Sequence, residues 1–228
     1  MSTGSVDQTM QGLAAEDPET RREAAWRLCD AADLRAAAAL TAALGDASAR
    51  VRAAACWSLG VIAPPLAGAA LAECLSDPDE GVRSMAAQAL GQVRVGFPTR
   101  ALVAALSDRS AVVRSSAAHA IGDSRRLSGA RAVRARLRDA DAVVRAEAAW
   151  ALGRLLDWRS VPALLRATSD EDVSVRYEAG RALIQLGRDE GRQTLRAILR
   201  TGASPEWIEP KAFHRDVRRA LRGWARGR

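Results

Sequence analysis

Pairs of leucines four positions apart recur along the chain at intervals of 31 residues. The pairs are Leu40/Leu44, Leu71/Leu75, Leu102/Leu106 and, with one valine, Val133/Leu137. Residues four positions apart lie on the same side of an α-helix, so each pair predicts a short helix with one buried stripe. We name this element helix A of a repeating unit.

Each helix A is followed by a second pattern that repeats at the same interval. An aspartate comes first, a Val-Arg pair ends six residues later, and Leu or Ile lies seven residues after the arginine. The aspartates are Asp46, Asp77, Asp108, Asp139 and Asp170, and the arginines are Arg52, Arg83, Arg114, Arg145 and Arg176. An earlier copy of the same pattern is visible at residues 23–28. The pattern predicts a tight turn at the aspartate, followed by a second helix, helix B.

One pair of helices cannot bury its own apolar side, whereas a stack of similar pairs can. We therefore expect an all-α fold, an α-solenoid (superhelix) of about six 31-residue helix-turn-helix repeats over residues 6–200. Residues 1–5 are expected to be a disordered leader, and residues 201–228 a basic C-terminal cap. A capping helix is predicted over residues 210–226, with Phe213 and Val217 on its apolar side.

The repeated pattern Asp-x-x-x-x-Val-Arg-x-x-Ala-Ala-x-Ala-Leu-Gly resembles the bacterial HEAT-like repeats that were first grouped with phycobilisome lyase subunits. The resemblance covers about residues 6–200. It implies an α-solenoid fold. Because that family includes both bilin-attachment lyase subunits and assembly scaffolds, the resemblance implies little about chemistry.

Three of the repeated residues have an architectural interpretation. The aspartate can cap the N-terminus of helix B, and the arginine can pair with a turn aspartate of its own or a neighbouring repeat. A glycine follows the Leu or Ile in four repeats, where it is predicted to stop helix B. These glycines are Gly60, Gly91, Gly122 and Gly153.

Helical phase separates the two sides of helix B. With each aspartate as position 0 and about 100° per residue, the apolar positions 5, 9, 13 and 16 face the core, whereas positions 7, 8, 11 and 15 face away from it. Because B helices usually line the concave side of an α-solenoid, we predict a partner-binding concave face there. Its residues are Trp26, Trp57, Met85, Gln88, His119, Asp123, Glu147, Trp150, Arg154, Glu178 and Arg181. Tryptophans beside charged groups suit a protein or peptide partner, although the same tryptophans could instead pack flat between adjacent B helices.

The formal net charge is +7, and residues 188–228 contain 11 basic and 5 acidic residues. Only one of the 34 basic residues is a lysine, Lys211. An arginine-rich end attracts anionic partners, so nucleic-acid binding is an alternative function. The candidate contacts are Arg215, Arg218, Arg219, Arg222 and Arg226, together with Arg125, Arg126, Arg131, Arg134, Arg136 and Arg138. The resemblance also implies a third function, a lyase-like chaperone that holds a chromophore or prosthetic group against Trp57, Met85 and Trp150.

The sequence gives little support to catalysis or to a cofactor. The histidines, His119 and His214, lie far apart and neither precedes a glutamate, so we expect no metal and no other cofactor. The three cysteines form no CxxC pair, and their odd number argues against a disulfide framework. A glycosylase-like site could form around His119, Asp123 and Trp150, but acidic neighbours such as Glu147 would repel phosphates. We predict no catalytic residue.

Two features bear on where the protein is found. The N-terminus shows no signal peptide, and no apolar run is long enough to span a bilayer. We therefore expect a cytoplasmic monomer without a membrane contact.

Overall fold

A computed structural model of the chain describes residues 3–31, 35–62, 67–93, 97–205 and 209–225. Within these ranges the chain forms fourteen α-helices and three 3₁₀ turns, with no strand. The first helices of the six repeats are α1 (Thr3–Gly12), α3 (Ala36–Ala43), α5 (Ala67–Glu73), α7 (Thr99–Ala105), α9 (Ala130–Arg136) and α11 (Val161–Ala167). The second helices are α2 (Pro18–Ala31), α4 (Ala49–Ile62), α6 (Glu80–Gln92), α8 (Ala111–Ser124), α10 (Ala142–Leu155) and α12 (Val173–Gln185).

Two further helices, α13 (Asp189–Thr201) and α14 (Pro210–Ala225), follow the sixth repeat. The 3₁₀ turns are Cys74–Ser76, Leu127–Gly129 and Trp158–Ser160. The predicted all-α architecture of about six helix pairs is thus confirmed. Helix α1 begins at Thr3, and residues 1 and 2 lie outside the described residues, so the leader over residues 1–5 stays a prediction. The chain divides into two compact units, residues 1–120 and 121–228.

The core is built from the same three positions of each B helix. In α4 these are Val51, Ala55 and Leu59, none of which has exposed surface. The equivalent residues of α6, α8, α10 and α12 are buried to the same degree. Helices α3, α5, α7, α9 and α11 add fully buried apolar residues to the same layers, as Leu40 and Leu71 show. The predicted core face of helix B is therefore confirmed at positions 5, 9 and 13, whereas position 16 is only half-buried in some repeats, as at Ile62 and Leu186.

An arginine–aspartate clamp joins consecutive repeats. Arg52 Nε donates to Asp77 Oδ2 at 2.8 Å, and Arg52 Nη2 donates to Asp77 Oδ1 at 2.8 Å. The third nitrogen, Nη1, donates to the backbone carbonyls of Asp46 and Ala47 in the turn of its own repeat, at 2.9 and 3.3 Å. Three other pairs, each 25 residues apart, repeat this geometry: Arg21–Asp46, Arg83–Asp108 and Arg145–Asp170. One guanidinium thereby holds two successive turns together, and the predicted arginine–aspartate pairing is confirmed.

The aspartate of the clamp does not cap helix B, so that part of the prediction was wrong. Asp77 Oδ1 accepts a hydrogen bond from the backbone N–H of Asp79 at 2.9 Å. Asp79 is the N-cap of α6, and its Oδ1 accepts from the backbone N–H of Val82 at 3.1 Å. Asp141 and Asp172 cap α10 and α12 in the same way. The cap lies two residues later than expected because the clamp turns the first carboxylate toward the arginine of the preceding repeat.

The repeated glycines do not stop helix B, which is a second correction. Gly60 lies inside α4, where an added Cβ would be 2.7 Å from Ala89 Cα in the next B helix. The other three also lie inside their B helices, and they are Gly91, Gly122 and Gly153. The glycines that do follow helix ends are Gly187 and Gly202, with φ values of 73° and 68° after α12 and α13. The repeated glycine is therefore needed for close packing of neighbouring B helices.

Helix α14 packs its apolar side against α13 in the second unit. Phe213 and Val217 are buried in one cluster with Leu195 and Ile198 of α13. The carboxylate of Glu209 accepts hydrogen bonds from the first backbone N–H groups of the helix, at 2.7 and 3.0 Å. The predicted apolar side of the last helix is confirmed, and the division at residue 200 stays a prediction.

The clamp makes a testable contribution to stability. We expect Arg83→Gln to lower the free energy of unfolding by about 2 kcal/mol, because Asp108 loses both charged donors in a site where the two side chains are only 6% and 12% exposed. Denaturant unfolding followed by circular dichroism measures the change. Arg27→Gln is the control, since it breaks an ion pair with Glu23 whose side chains are 62% and 57% exposed. Equal shifts for the two variants would show that the clamp is no stronger than a surface pair.

The close approach of B helices gives a second prediction. We expect Gly60→Ala to lower the free energy of unfolding by about 1–3 kcal/mol, because the added methyl overlaps the backbone of Ala89 by more than the better helix propensity of alanine can offset. Gly45→Ala is the matched control, since a Cβ there meets only the Ala42 carbonyl at an ordinary 3.5 Å. Thermal unfolding compares the two. A Gly60→Ala variant as stable as the parent would contradict the packing role.

Candidate functional site

The residues at position 11 of helix B are partly exposed in both units. Gln88 is exposed, and the others are half-buried; they are Trp26, Trp57, His119, Trp150 and Arg181. The core positions on the same helices are fully buried, so the predicted helical phase of position 11 agrees with the structure. Partner binding at these residues stays a prediction.

In the first unit, two tryptophans from adjacent B helices contact each other. The ring centroids of Trp26 on α2 and Trp57 on α4 are 5.7 Å apart, with an angle of 44° between the ring planes. We call these two residues the tryptophan pair. Each ring is half-buried, so part of its surface packs in the repeat and part faces outward. The packing and the binding interpretations of these tryptophans are therefore compatible.

In the second unit, Trp150 belongs to a polar cluster with two oppositely charged residues. Arg154 Nη2 donates to Asp123 Oδ1 at 3.1 Å, and the guanidinium carbon of Arg154 lies 5.5 Å from the centroid of the Trp150 ring. A Cβ on Gly122 would lie 2.8 Å from Trp150 Cζ3, so the ring packs directly on the backbone of α8. The charge of Arg154 is thus balanced by Asp123, while the ring keeps part of its surface exposed.

Positions 7 and 8 of helix B were predicted to face outward, but several of their side chains lie against a neighbouring helix. The outward face of helix B is therefore narrower than predicted. Ala54 is 1% exposed and Ser116 is 7% exposed. The hydroxyl oxygens of Ser84 and Ser116 lie 3.1 Å apart, and Gln88 Nε2 lies 3.4 Å from each of them. Met85, at position 8 of α6, is half-buried. Because neighbouring B helices are so close, Ala54, Ser84 and Ser116 are covered, whereas Glu23 at position 8 of α2 stays exposed.

Glu178 was predicted to lie on an open charged surface, but its side chain is largely enclosed in the structure. Burial raises the pKa of Glu178 to about 7, and the nearby Glu147 carboxylate raises it further against the opposing effect of Arg181. Arg181 Nη1 lies 3.3 Å from Glu178 Oε1, and its guanidinium carbon lies 5.5 Å from the Tyr177 ring centroid. These residues form one polar cluster on α12, beside Glu147 of α10. Glu178 is therefore only partly ionised near neutral pH, unlike an exposed glutamate.

Two cysteines that the sequence did not connect lie together in the first unit. Cys56 on α4 and Cys74 on the 3₁₀ turn after α5 are both buried, and Cys74 Sγ donates to the backbone carbonyl of Ala70 at 3.5 Å. The neighbouring Cys74 thiol and burial raise the pKa of the Cys56 thiol above its ordinary value. Periodicity along one helix cannot reveal such a pair, because the two residues belong to different elements. A protonated, buried Cys56 is a poor nucleophile.

Most of the arginines predicted to contact nucleic acid are exposed where the structure describes them, but Arg134 and Arg136 are half-buried and pair with Asp157 and Asp139. Arg215, Arg218 and Arg219 lie exposed on α14. The side chain of Arg222 and the whole of Arg226 lie outside the described residues. Across the described part of the chain, no three His, Cys, Asp or Glu residues are grouped as metal ligands would be. Likewise, no described helix combines the length and apolarity needed to cross a bilayer.

Arginine–aspartate clamps join consecutive repeats, and three of the B helices carry a tryptophan at position 11. These features define an α-solenoid repeat protein. The family model of HEAT repeats matches residues 6–91, 68–135 and 130–208. The chain therefore belongs to the HEAT repeat family, which confirms the resemblance found in the sequence.

Solved structures with the same fold include natural and designed proteins. The complex of CpcE and CpcF of phycocyanin lyase from Nostoc sp. PCC7120 is 20% identical over 96% of this chain and 94% of that chain, with a TM-score of 0.63. A designed armadillo repeat protein in complex with the peptide (KR)4 is 22% identical over 79% and 99%, with a TM-score of 0.60. An engineered protein is 24% identical over 84% and 98%, with a TM-score of 0.60. At these identities the similarity shows the fold. A sequence comparison with curated proteins finds no match.

The raised pKa of Glu178 predicts a pH-dependent contribution to stability. The folded chain keeps this proton up to about pH 7, whereas the unfolded chain releases it near the ordinary glutamate pKa of 4.5. Stability should therefore fall as pH rises from about 4.5 to about 7 and then level off, because the unfolded state binds fewer protons in that window. Glu178→Gln should remove this fall.

Denaturant midpoints are measured across that pH range for the parent and for Glu178→Gln. The difference between the two midpoints at each pH tests the prediction. Glu23→Gln, at an exposed glutamate, is the control. A parent and a Glu178→Gln variant with parallel pH profiles would contradict the raised pKa.

Proposed function

We propose that the chain is a non-catalytic scaffold or adaptor that binds a protein or peptide along the outward side of its B helices. The observation that supports this proposal most directly is the tryptophan pair, formed by Trp26 and Trp57 with centroids 5.7 Å apart and both rings half-buried. Tryptophan is enriched among the residues that dominate the energetics of protein interfaces. Rings that are already held by packing lose little side-chain freedom on binding.

The charged groups around these rings would provide selectivity. Beside the tryptophan pair, Glu23 and Arg27 form an exposed ion pair, and in the second unit Trp150 lies under Arg154. A partner segment with apolar anchors and polar groups of both signs would match such a surface. The predicted concave arrangement of the B helices belongs to this proposal.

The alternatives have weaker support. The similarity to CpcE and CpcF is at the level of the fold, so the chromophore-holding function has no residue-level argument in its favour. The exposed arginines of α14 are compatible with nucleic-acid binding, but that function would not use the tryptophans of the B helices. A repeat solenoid is typically an interaction scaffold, which agrees with the non-enzyme assignment proposed here.

The proposal predicts that binding depends on the tryptophan pair. A Trp26→Leu/Trp57→Leu variant should lose affinity for its partner by about tenfold or more, because leucine fills the packed volume but lacks the wide outward ring. Trp158→Ala is the control, since this residue is 70% exposed on a 3₁₀ turn outside the B helices. Partners retained from a native extract are quantified by mass spectrometry for the parent and for both variants. The affinity of the purified partner is then measured.

Circular dichroism accompanies these measurements. A double variant that keeps its helicity and loses the partner supports the proposal. A double variant that binds as the parent does shows that the two rings serve packing alone.

A further inference from the structure

A cleft of about 470 Å³ lies in the second unit between helices α9 and α11. Its charged walls are Arg131, Arg134 and Arg138 on one side and Arg166 on the other. Leu137 and alanines from both helices complete the lining. Helices α9 and α11 contain no acidic residue, so the arginines are not neutralised along their own helices. The cleft is formed by A helices and is separate from the tryptophan-bearing B helices of the proposed function.

The one carboxylate that lines the cleft is already bound elsewhere. Asp170 accepts two hydrogen bonds from Arg145 at 2.9 Å each, within the clamp between repeats. In contrast, Arg131, Arg138 and Arg166 are exposed and form no ion pair with the residues that the structure describes. The cleft therefore presents a local excess of positive charge that the fold itself does not use.

Arg134 is oriented by the fold and still has unused hydrogen-bonding capacity. Its Nη2 lies 3.2 Å from Oδ2 of Asp157, a carboxylate that is itself buried. Its Nε is buried and has no acceptor among the described residues. A guanidinium held in place by a buried carboxylate also loses little freedom when a ligand binds.

We propose that this arginine cleft binds an acidic peptide segment through its carboxylate side chains. Guanidinium groups match carboxylates in a bidentate geometry, and the alanines and Leu137 can contact the aliphatic parts of a peptide. The lining contains no aromatic side chain on which a nucleic-acid base could stack. Four arginines around one short cleft also differ from the long basic track of a protein that follows a nucleic-acid backbone.

The test uses a fluorescently labelled glutamate-rich peptide and measures its binding to the full chain by anisotropy. We expect Arg138→Gln/Arg166→Gln to weaken binding by about tenfold or more, because two charge-assisted contacts are removed from exposed positions that the fold does not need. Arg159→Gln/Arg188→Gln is the matched control, which removes the same charge from exposed arginines outside the cleft and should change affinity by less than about twofold. A peptide with glutamine at every glutamate should not bind.

Three results would overturn the proposal. The first is a parent protein that fails to bind the peptide at low salt or binds the glutamine peptide equally well. The second is an equal loss in the two double variants, which would indicate nonspecific attraction to the net charge. The third is tighter binding of a short DNA that depends on Arg138 and Arg166, which would assign the cleft to nucleic acid. The Trp26→Leu/Trp57→Leu variant should bind the acidic peptide as the parent does, so failure here is distinguishable from failure of the proposed function.

Discussion

The clamp in which a helix B arginine binds the aspartate 25 residues later, formed by Arg21, Arg52, Arg83 and Arg145, is the interaction on which the rest of the structure depends. In each clamp, Nε and Nη2 of the guanidinium bind both carboxylate oxygens of the next turn, while Nη1 binds backbone carbonyls of the arginine's own turn. Arg52 does so with Asp77 and Asp46. Only a planar guanidinium can make both sets of bonds at once, which explains why arginine occupies every such position. Each clamp fixes the spacing between one repeat and the next.

This fixed spacing decides which side chains of helix B remain available for binding. Neighbouring B helices approach until Gly60 lies against the backbone of Ala89, with no room for a methyl group. At that distance several side chains at position 8 are enclosed, as Ser116 and Glu178 show, and the pKa of Glu178 rises to about 7. Position 11 stays partly open, so large rings such as Trp57 can pack on one neighbour and still face outward. A close-packed stack thereby produces a narrow aromatic surface.

The arginines divide into those that build the fold and those that the fold leaves unused. Arg21, Arg52, Arg83 and Arg145 are occupied in clamps, and Arg154 is balanced by Asp123. The arginines of α9 and α11 instead surround a cleft whose only carboxylate is already bound. Net charge by itself cannot separate these groups, because it counts a clamped guanidinium and an exposed one equally. The two proposed surfaces, aromatic on B helices and cationic on A helices, would let one chain contact two different segments of its partners.

The sequence by itself determined the repeat, the order of helices, the core positions of helix B and the arginine–aspartate pairing. These features follow from a period of 31 residues and from helical phase, which are properties of the chain read in order. The role of the glycines, the true N-caps and the enclosure of position 8 were decided only by the tertiary structure. Each depends on how closely one B helix approaches the next, and no periodic pattern within a single helix reports that distance. The same holds for the thiol pair of Cys56 and Cys74 and for the meeting of Arg166 with Arg131, since packing between separate helices brings these residues together.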